Sequence, residues 1–120
     1  MAHKFTISAA ASDQFKFAFE YNSEKIFWSE AYKQKASAKS AIESLKNNAP
    51  GAITVDLSSD ETGTGYRFEI VQSKDAQHFV RFVASNGETM VRTETYASKA
   101  SAKNAIQSLQ TNGPSANVED

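Results

Sequence analysis

The chain of 120 residues predicts an α+β domain in which a single sheet carries two helices on one face. Three observations lead there. Lys35-Ala36-Ser37-Ala38-Lys39 recurs letter for letter as Lys99-Ala100-Ser101-Ala102-Lys103, and each copy runs on into Ala-Ile-x-Ser-Leu. A self-match of this kind is one structural unit written twice. Before each copy of the motif the apolar residues alternate with period two, and inside it they follow the helical period, so strands precede a helix twice. One copy of ~60 residues buries too little apolar surface to be comfortably stable alone, which favours two copies closing one core.

The first strands are predicted at residues 4–8 and 67–71. Gln14 to Tyr21 then alternates strictly, with Phe15, Phe17 and Phe19 on one side and Lys16, Ala18 and Glu20 on the other, as in a half-buried strand. Adding 63 maps the phenylalanines onto His78, Val80 and Phe82. Adding 64 would map them onto Phe79, Arg81 and Val83 and drive Arg81 into the core, so 63 is the better register. From Asn22 onward the shift is 64, carrying Asn22 to Asn86, Glu30 to Glu94, Tyr32 to Tyr96 and Pro50 to Pro114. Copy one is therefore a residue short near Glu20-Tyr21.

Asn86-Gly87 signals a hairpin, because both residues tolerate positive φ, and Asn22-Ser23 is its weaker counterpart. Third strands follow at 25–29 and 89–93, where Ile26, Phe27 and Trp28 leave the facing open. In the helices, Ala38, Ala41, Ile42 and Leu45 form one apolar stripe, repeated by Ala102, Ala105, Ile106 and Leu109. Ser98 is a suitable N-cap for the second helix, whereas Gln34 is a poor one for the first. Asn48-Ala49-Pro50 and Asn112-Gly113-Pro114 stop them. Ile53, Val55 and Leu57 alternate with polar residues as a further strand. Residues 58–65 form a polar connector between repeat one (about 3–57) and repeat two (about 66–119). Near the end only residues 116–118 suit a strand, and Glu119-Asp120 is expected to fray, as is His3 at the other end.

The residues resemble the YegP-like family of small bacterial proteins of uncharacterised function. The shared pattern is aromatic-x-aromatic, then Asn-Gly-Glu, then Ser-Glu-x-Tyr-x-Ser-Lys-Ala-Ser-Ala before a helix. It stands here as Phe15-Lys16-Phe17, Asn22-Ser23-Glu24, Ser29-Glu30-Ala31-Tyr32 and Lys35 to Ala38. It stands again as Asn86-Gly87-Glu88, Thr93-Glu94-Thr95-Tyr96 and Ser98 to Ala102. The resemblance implies tandem βββαβ repeats forming one shared antiparallel sheet, with the strand after each helix exchanged to the other repeat. It contributes no catalytic residues. Ser23, Gln34, His78 and Val80 depart from the pattern and bear on local geometry, not on architecture.

Composition narrows the function classes. A net charge of −1 argues against a surface devoted to nucleic acid or anionic membrane, while leaving a local basic patch open. With no cysteine there is no disulfide, thiol nucleophile or Cys-ligated zinc. No apolar leader and no ~20-residue apolar run are seen, so a soluble, cytoplasmic chain is expected.

Catalytic constellations are weak. His3 and His78 are the two histidines and lack His-x-x-x-His spacing, so no metal or other cofactor is predicted. Glu30 and Glu94, with Tyr32 and Tyr96, recur as a carboxylate pair, but each sits just before its own helix, where structure explains it. Ser37 and Ser101 lie two positions from lysines, too far round a helix to form a dyad. Gly63-Thr64-Gly65 has no P-loop sequel. The remaining constellation is the outer strand face, with Lys4, Lys16, Arg67, Phe79 and Arg81, joined by Trp28 and Arg92 and opposed by Glu20 and Glu69. The expectation is a non-catalytic protein- or peptide-interaction or structural module, monomeric because its halves already form a pseudo-dimer. The alternative is single-stranded nucleic-acid binding on that face.

Overall fold

The computed structural model describes residues 3–120. The strands are β1 (His3–Ala10), β2 (Gln14–Tyr21), β3 (Glu24–Trp28), β4 (Ile53–Asp56), β5 (Arg67–Gln72), β6 (His78–Val83), β7 (Thr89–Arg92) and β8 (Asn117–Glu119). The helices are α1 (Lys35–Asn48) and α2 (Lys99–Asn112). All eight strands form one sheet in the order β4-β5-β6-β7-β3-β2-β1-β8. The strand after each helix has crossed to the other repeat, β4 onto β5 and β8 onto β1.

Both exchanged pairs are parallel, so the sheet is mixed rather than wholly antiparallel. A tight turn cannot join parallel neighbours. Residues 57–66 between β4 and β5 are long enough to bring the chain back to the same end of the sheet, and the twofold repeats the parallel pairing, without a connector, for β8 on β1 at the other edge.

The register confirms the 63-residue offset. Phe5 faces Phe19 across β1 and β2, and Phe68 faces Phe82 across β5 and β6. These rings, with Phe17, Phe27, Ile70, Val80 and Val91, are buried under Ala38, Ile42, Leu45, Ala102, Ile106 and Leu109 of the helices, all in one continuous core. The alanines let each helix lie close to the sheet.

The missing residue of copy one lies in the β2–β3 turn. Asn22 and Ser23 form a two-residue turn with φ of 56° and 66°. In copy two, Ala84 N–H donates to Glu88 O at 2.9 Å around a longer turn. There Gly87 alone takes positive φ, at 90°, so Asn86-Gly87 is not the two-residue turn its sequence suggests.

The third strands are bulged. Phe19 faces Phe27 while Glu20 faces Lys25, leaving Ile26 extra, and Met90 is its twofold mate between Thr89 and Val91. This resolves the facing. Ile26 and Phe27 both lean on the core and Trp28 turns to the outer face, because a bulge puts two consecutive residues on one side.

Ser98 Oγ accepts Ser101 N–H at 3.2 Å, whereas Gln34 makes no side-chain cap. His3 and the last two residues are tied down, contrary to expectation. His3 stacks on Phe19 at 5.4 Å and meets Ser108 Oγ at 3.1 Å. Tyr66, its mate in repeat two, stacks on Phe82 at 5.9 Å and meets Ser44 at 3.3 Å. Lys4 holds Glu119 at 3.1 Å, and Lys39 holds Asp120 at 3.1 Å. Opposite charge lets the exposed tail pay for its lost freedom.

Candidate functional site

The outer sheet face is where the two repeats differ most. Its central row runs Thr6, Ala18, Trp28, Arg92, Arg81, Glu69, each opposite the next in register. Trp28 and Arg92 form the single pair that joins β3 to β7, and the pseudo-twofold passes between them. Side chains on registered antiparallel partners share a face, so these residues are brought together by strand pairing alone.

In repeat two the row is filled. Arg81 Nε donates to Glu69 Oε1 at 2.6 Å and Arg67 Nε donates to Glu69 Oε2 at 2.8 Å. Burial pushes the Glu69 carboxyl up, but the hydrogen bonds and charges of Arg81 and Arg67 outweigh it and hold the group below the ordinary carboxylate value. The Arg92 guanidinium lies over the Phe79 ring at 4.4 Å, and its Nε donates to Thr93 O at 3.2 Å.

In repeat one the equivalent positions hold Ala18 in place of Arg81 and Thr6 in place of Glu69. A groove of about 440 Å³ opens there. Ala18 lies in its floor, Trp28 lines it toward the centre of the sheet, and Lys16 and Lys25 line it as well. Two polar side chains stand out in it among the described residues. Thr6 Oγ1 is buried without a hydrogen bond. Glu20 is only 9% exposed yet makes no ion pair, although Lys4 and Lys25 lie opposite it in register. An unmatched buried hydroxyl is costly, so Thr6 marks this half of the face as unlike ordinary sheet surface, while the carboxylate of Glu20 stays open to the groove.

All seven residues singled out from the sequence lie on this face, but they do not form one basic surface. Arg67 and Arg81 are bound to Glu69, Lys4 is bound to Glu119, and Arg92 is stacked on Phe79. Lys16 and Trp28 line the groove. Sequence reasoning missed Thr6 and Ala18 and treated Glu20 only as an opposing charge. The signal of Thr6 and Ala18 was present in the offset alignment, where each stands against a charged mate, Glu69 and Arg81.

The paired Glu30 and Glu94 are exposed, and no cluster of three metal-ligating acids or histidines occurs among the described residues. Burial raises Tyr32 and Tyr96 above the usual phenol value, and neighbouring carboxylates add to this: Glu30 and Glu88 at Tyr32, Glu94 and Glu24 at Tyr96. Each tyrosine bridges by backbone to the second strand of its own repeat, Tyr32 to Phe15 and Tyr96 to His78. They serve to anchor the run into each helix. Val55 is buried away from the main core, under the connector at Gly63. No helix among the described residues is long and apolar enough to cross a membrane.

These features define a tandem-repeat α+β protein whose two halves exchange their last strands and whose outer face carries a groove in the first repeat. Residues 10–56 and 73–120 match the family described as a domain of unknown function, DUF1508, and the chain belongs to that family. A UPF0339 protein of Acinetobacter baylyi is 32% identical over 121 residues, covering 100% of this chain and 97% of that one. A UPF0339 protein of Caulobacter vibrioides is 58% identical over 52 residues, which is 43% of this chain but 88% of that protein, so it spans a single repeat. The solution structure of yegP from E. coli, a protein of unknown function, superposes with a TM-score of 0.79 at 28% identity, covering 100% of this chain and 93% of that one. The YegP-like architecture read from the residues is thus the family's own.

Proposed function

We propose that this protein is a non-catalytic interaction module that takes a protein or peptide segment in the outer-face groove of its first repeat. The asymmetry of the row Thr6-Ala18-Trp28 against Glu69-Arg81-Arg92 carries this reading. Identical folds filled in one half and open in the other point to a difference in use rather than in stability. An aromatic wall beside a small-residue floor also suits a peptide side chain, because a rigid ring supplies contact area at little entropic cost. The working unit in this reading is one chain in the cytoplasm, since its two repeats already complete one core.

Single-stranded nucleic acid has less support, because four of the face's cations are already engaged by carboxylates or a ring. An enzyme has less still, because no nucleophile with a hydrogen-bonded base stands in the groove among the described residues. The test is an array of extended peptides probed with the native protein and with Ala18→Arg, which copies the filled repeat. Peptides retained by the native chain and lost by a well-folded A18R support the reading. Retention by both variants removes the groove from it. Binding of oligonucleotides alone, falling steeply with salt, replaces it with the nucleic-acid alternative.

A further inference from the structure

We infer that the groove over Ala18 receives a guanidinium, the side chain of an arginine presented by the partner segment. This rests on the groove being a peptide site. The chain supplies its own template. In repeat two the place equivalent to Ala18 is occupied by Arg81, whose Nε donates to Glu69 at 2.6 Å. The guanidinium of Arg92 meanwhile covers an aromatic ring at 4.4 Å. One repeat thus shows both ways in which this face holds a guanidinium, by a carboxylate and by a ring face.

Repeat one offers acceptors of both kinds, with its carboxylate at Glu20 instead of at the place of Glu69, and has no arginine where Arg81 stands in repeat two. Glu20 lines the groove, is nine-tenths buried and forms no ion pair among the described residues. Thr6 Oγ1 is buried in the same lining without a hydrogen bond. Trp28 adds an indole, the strongest of the aromatic partners for a cation. A planar fork with several N–H donors answers a carboxylate, a hydroxyl and a ring together, which a point-like ammonium does less well. Lys16 and Lys25 are the exposed charges of this groove and favour a partner with acidic residues flanking the arginine.

The experiment follows the amide and indole resonances of the full-length protein during titration with four capped pentapeptides. They differ only at the central residue: arginine, citrulline, lysine or glutamate. The arginine peptide is expected to shift Thr6, Ala18, Glu20 and the Trp28 indole. Citrulline, isosteric but neutral, should bind about tenfold more weakly, and lysine several-fold more weakly. Glu20→Gln should weaken the arginine peptide about tenfold, and Ala18→Arg should abolish its binding. If A18R is misfolded, Thr6→Val serves as a second variant, with weaker arginine binding expected. Equal affinity for arginine and citrulline, or an unchanged affinity in E20Q, overturns the guanidinium assignment. Binding of the glutamate peptide alone overturns it while leaving the groove a peptide site. If none of the four binds but other peptides on the array do, the arginine assignment falls alone. If no peptide binds at all, both readings fall.

Discussion

Lys99 reaches across the pseudo-twofold to Asp56, with Nζ 2.7 Å from Oδ2. Lys99 begins the second helix and Asp56 ends the strand that the first repeat has lent to the second. The mates are Asp120 and Lys35, 3.8 Å apart, with Lys39 closer to Asp120 at 3.1 Å. Each exchanged strand is thus held at its end, at Asp56 in β4 and just past β8 at Asp120, by the first turns of the other repeat's helix. Further in, Lys46 Nζ donates to Ala116 O at 2.7 Å, and Gln110 Nε2, its mate, donates to Ala52 O at 3.3 Å.

The Asp56 latch sets a pH dependence. The hydrogen bonds from Lys99 and then Ser58 hold the Asp56 carboxyl well below the usual carboxylate range. A carboxyl depressed in the folded state binds protons more readily when unfolded. Its stabilisation is complete above the unfolded value of about 4 and fades as pH falls below it. Asp56→Asn should cost about 1 kcal/mol at pH 7. In urea melts from pH 7 to pH 3 the gap between native and D56N should close on acidification. A gap that stays constant would mean that the charge is irrelevant.

Thr93 shows how a side chain completes a strand. Its hydroxyl accepts the Val80 N–H at 3.0 Å and donates to Glu94 O at 2.7 Å, and Ser29 does the same between Phe17 and Glu30. Thr93→Val keeps the shape and strands a buried N–H, so it should cost about 1–3 kcal/mol. Guanidinium denaturation measures this, and a loss below about 0.5 kcal/mol would contradict the role.

Ser23 bears a local strain. It sits at φ 66° in the tight turn, a conformation in which a Cβ is unwelcome. Ser23→Gly should raise stability by about 1 kcal/mol, seen as a higher midpoint at unchanged m-value. The change should leave the groove untouched, since the turn is not among the groove's lining residues.

Half the chain should not stand alone. A fragment ending after Asp56 carries a strand whose partner, β5, has been removed, while its β1 has lost β8. Its core residues also lose their packing against Phe68 and Val91. Sedimentation should find it unfolded or paired with a second copy. A monomer with dispersed amide resonances would refute the shared core.

Much of the architecture was legible because it rests on short-range chemistry. The repeat, the alternation of Phe15, Phe17 and Phe19, the cap at Ser98 and the residue missing near Tyr21 are local signals, and each reappears in the structure. The groove was less legible. Thr6 and Ala18 are ordinary strand residues until the register sets them against Glu69 and Arg81. Likewise Lys4 and Arg67 read as free cations until Glu119 and Glu69 are placed beside them.

The order of residues by itself determined that two like units fold together, and which side chains of the first two strands of each repeat turn inward, because periodicity and capping act within a few residues. Only the tertiary structure decided the parallel sense of the two outer strands, the capture of the chain's end by Lys39, and which cations remain unmatched. Those outcomes depend on contacts between residues 40 to more than 100 positions apart, as Lys99 with Asp56 and Lys4 with Glu119 illustrate. No local pattern encodes such meetings, since they exist only once the chain has closed on itself.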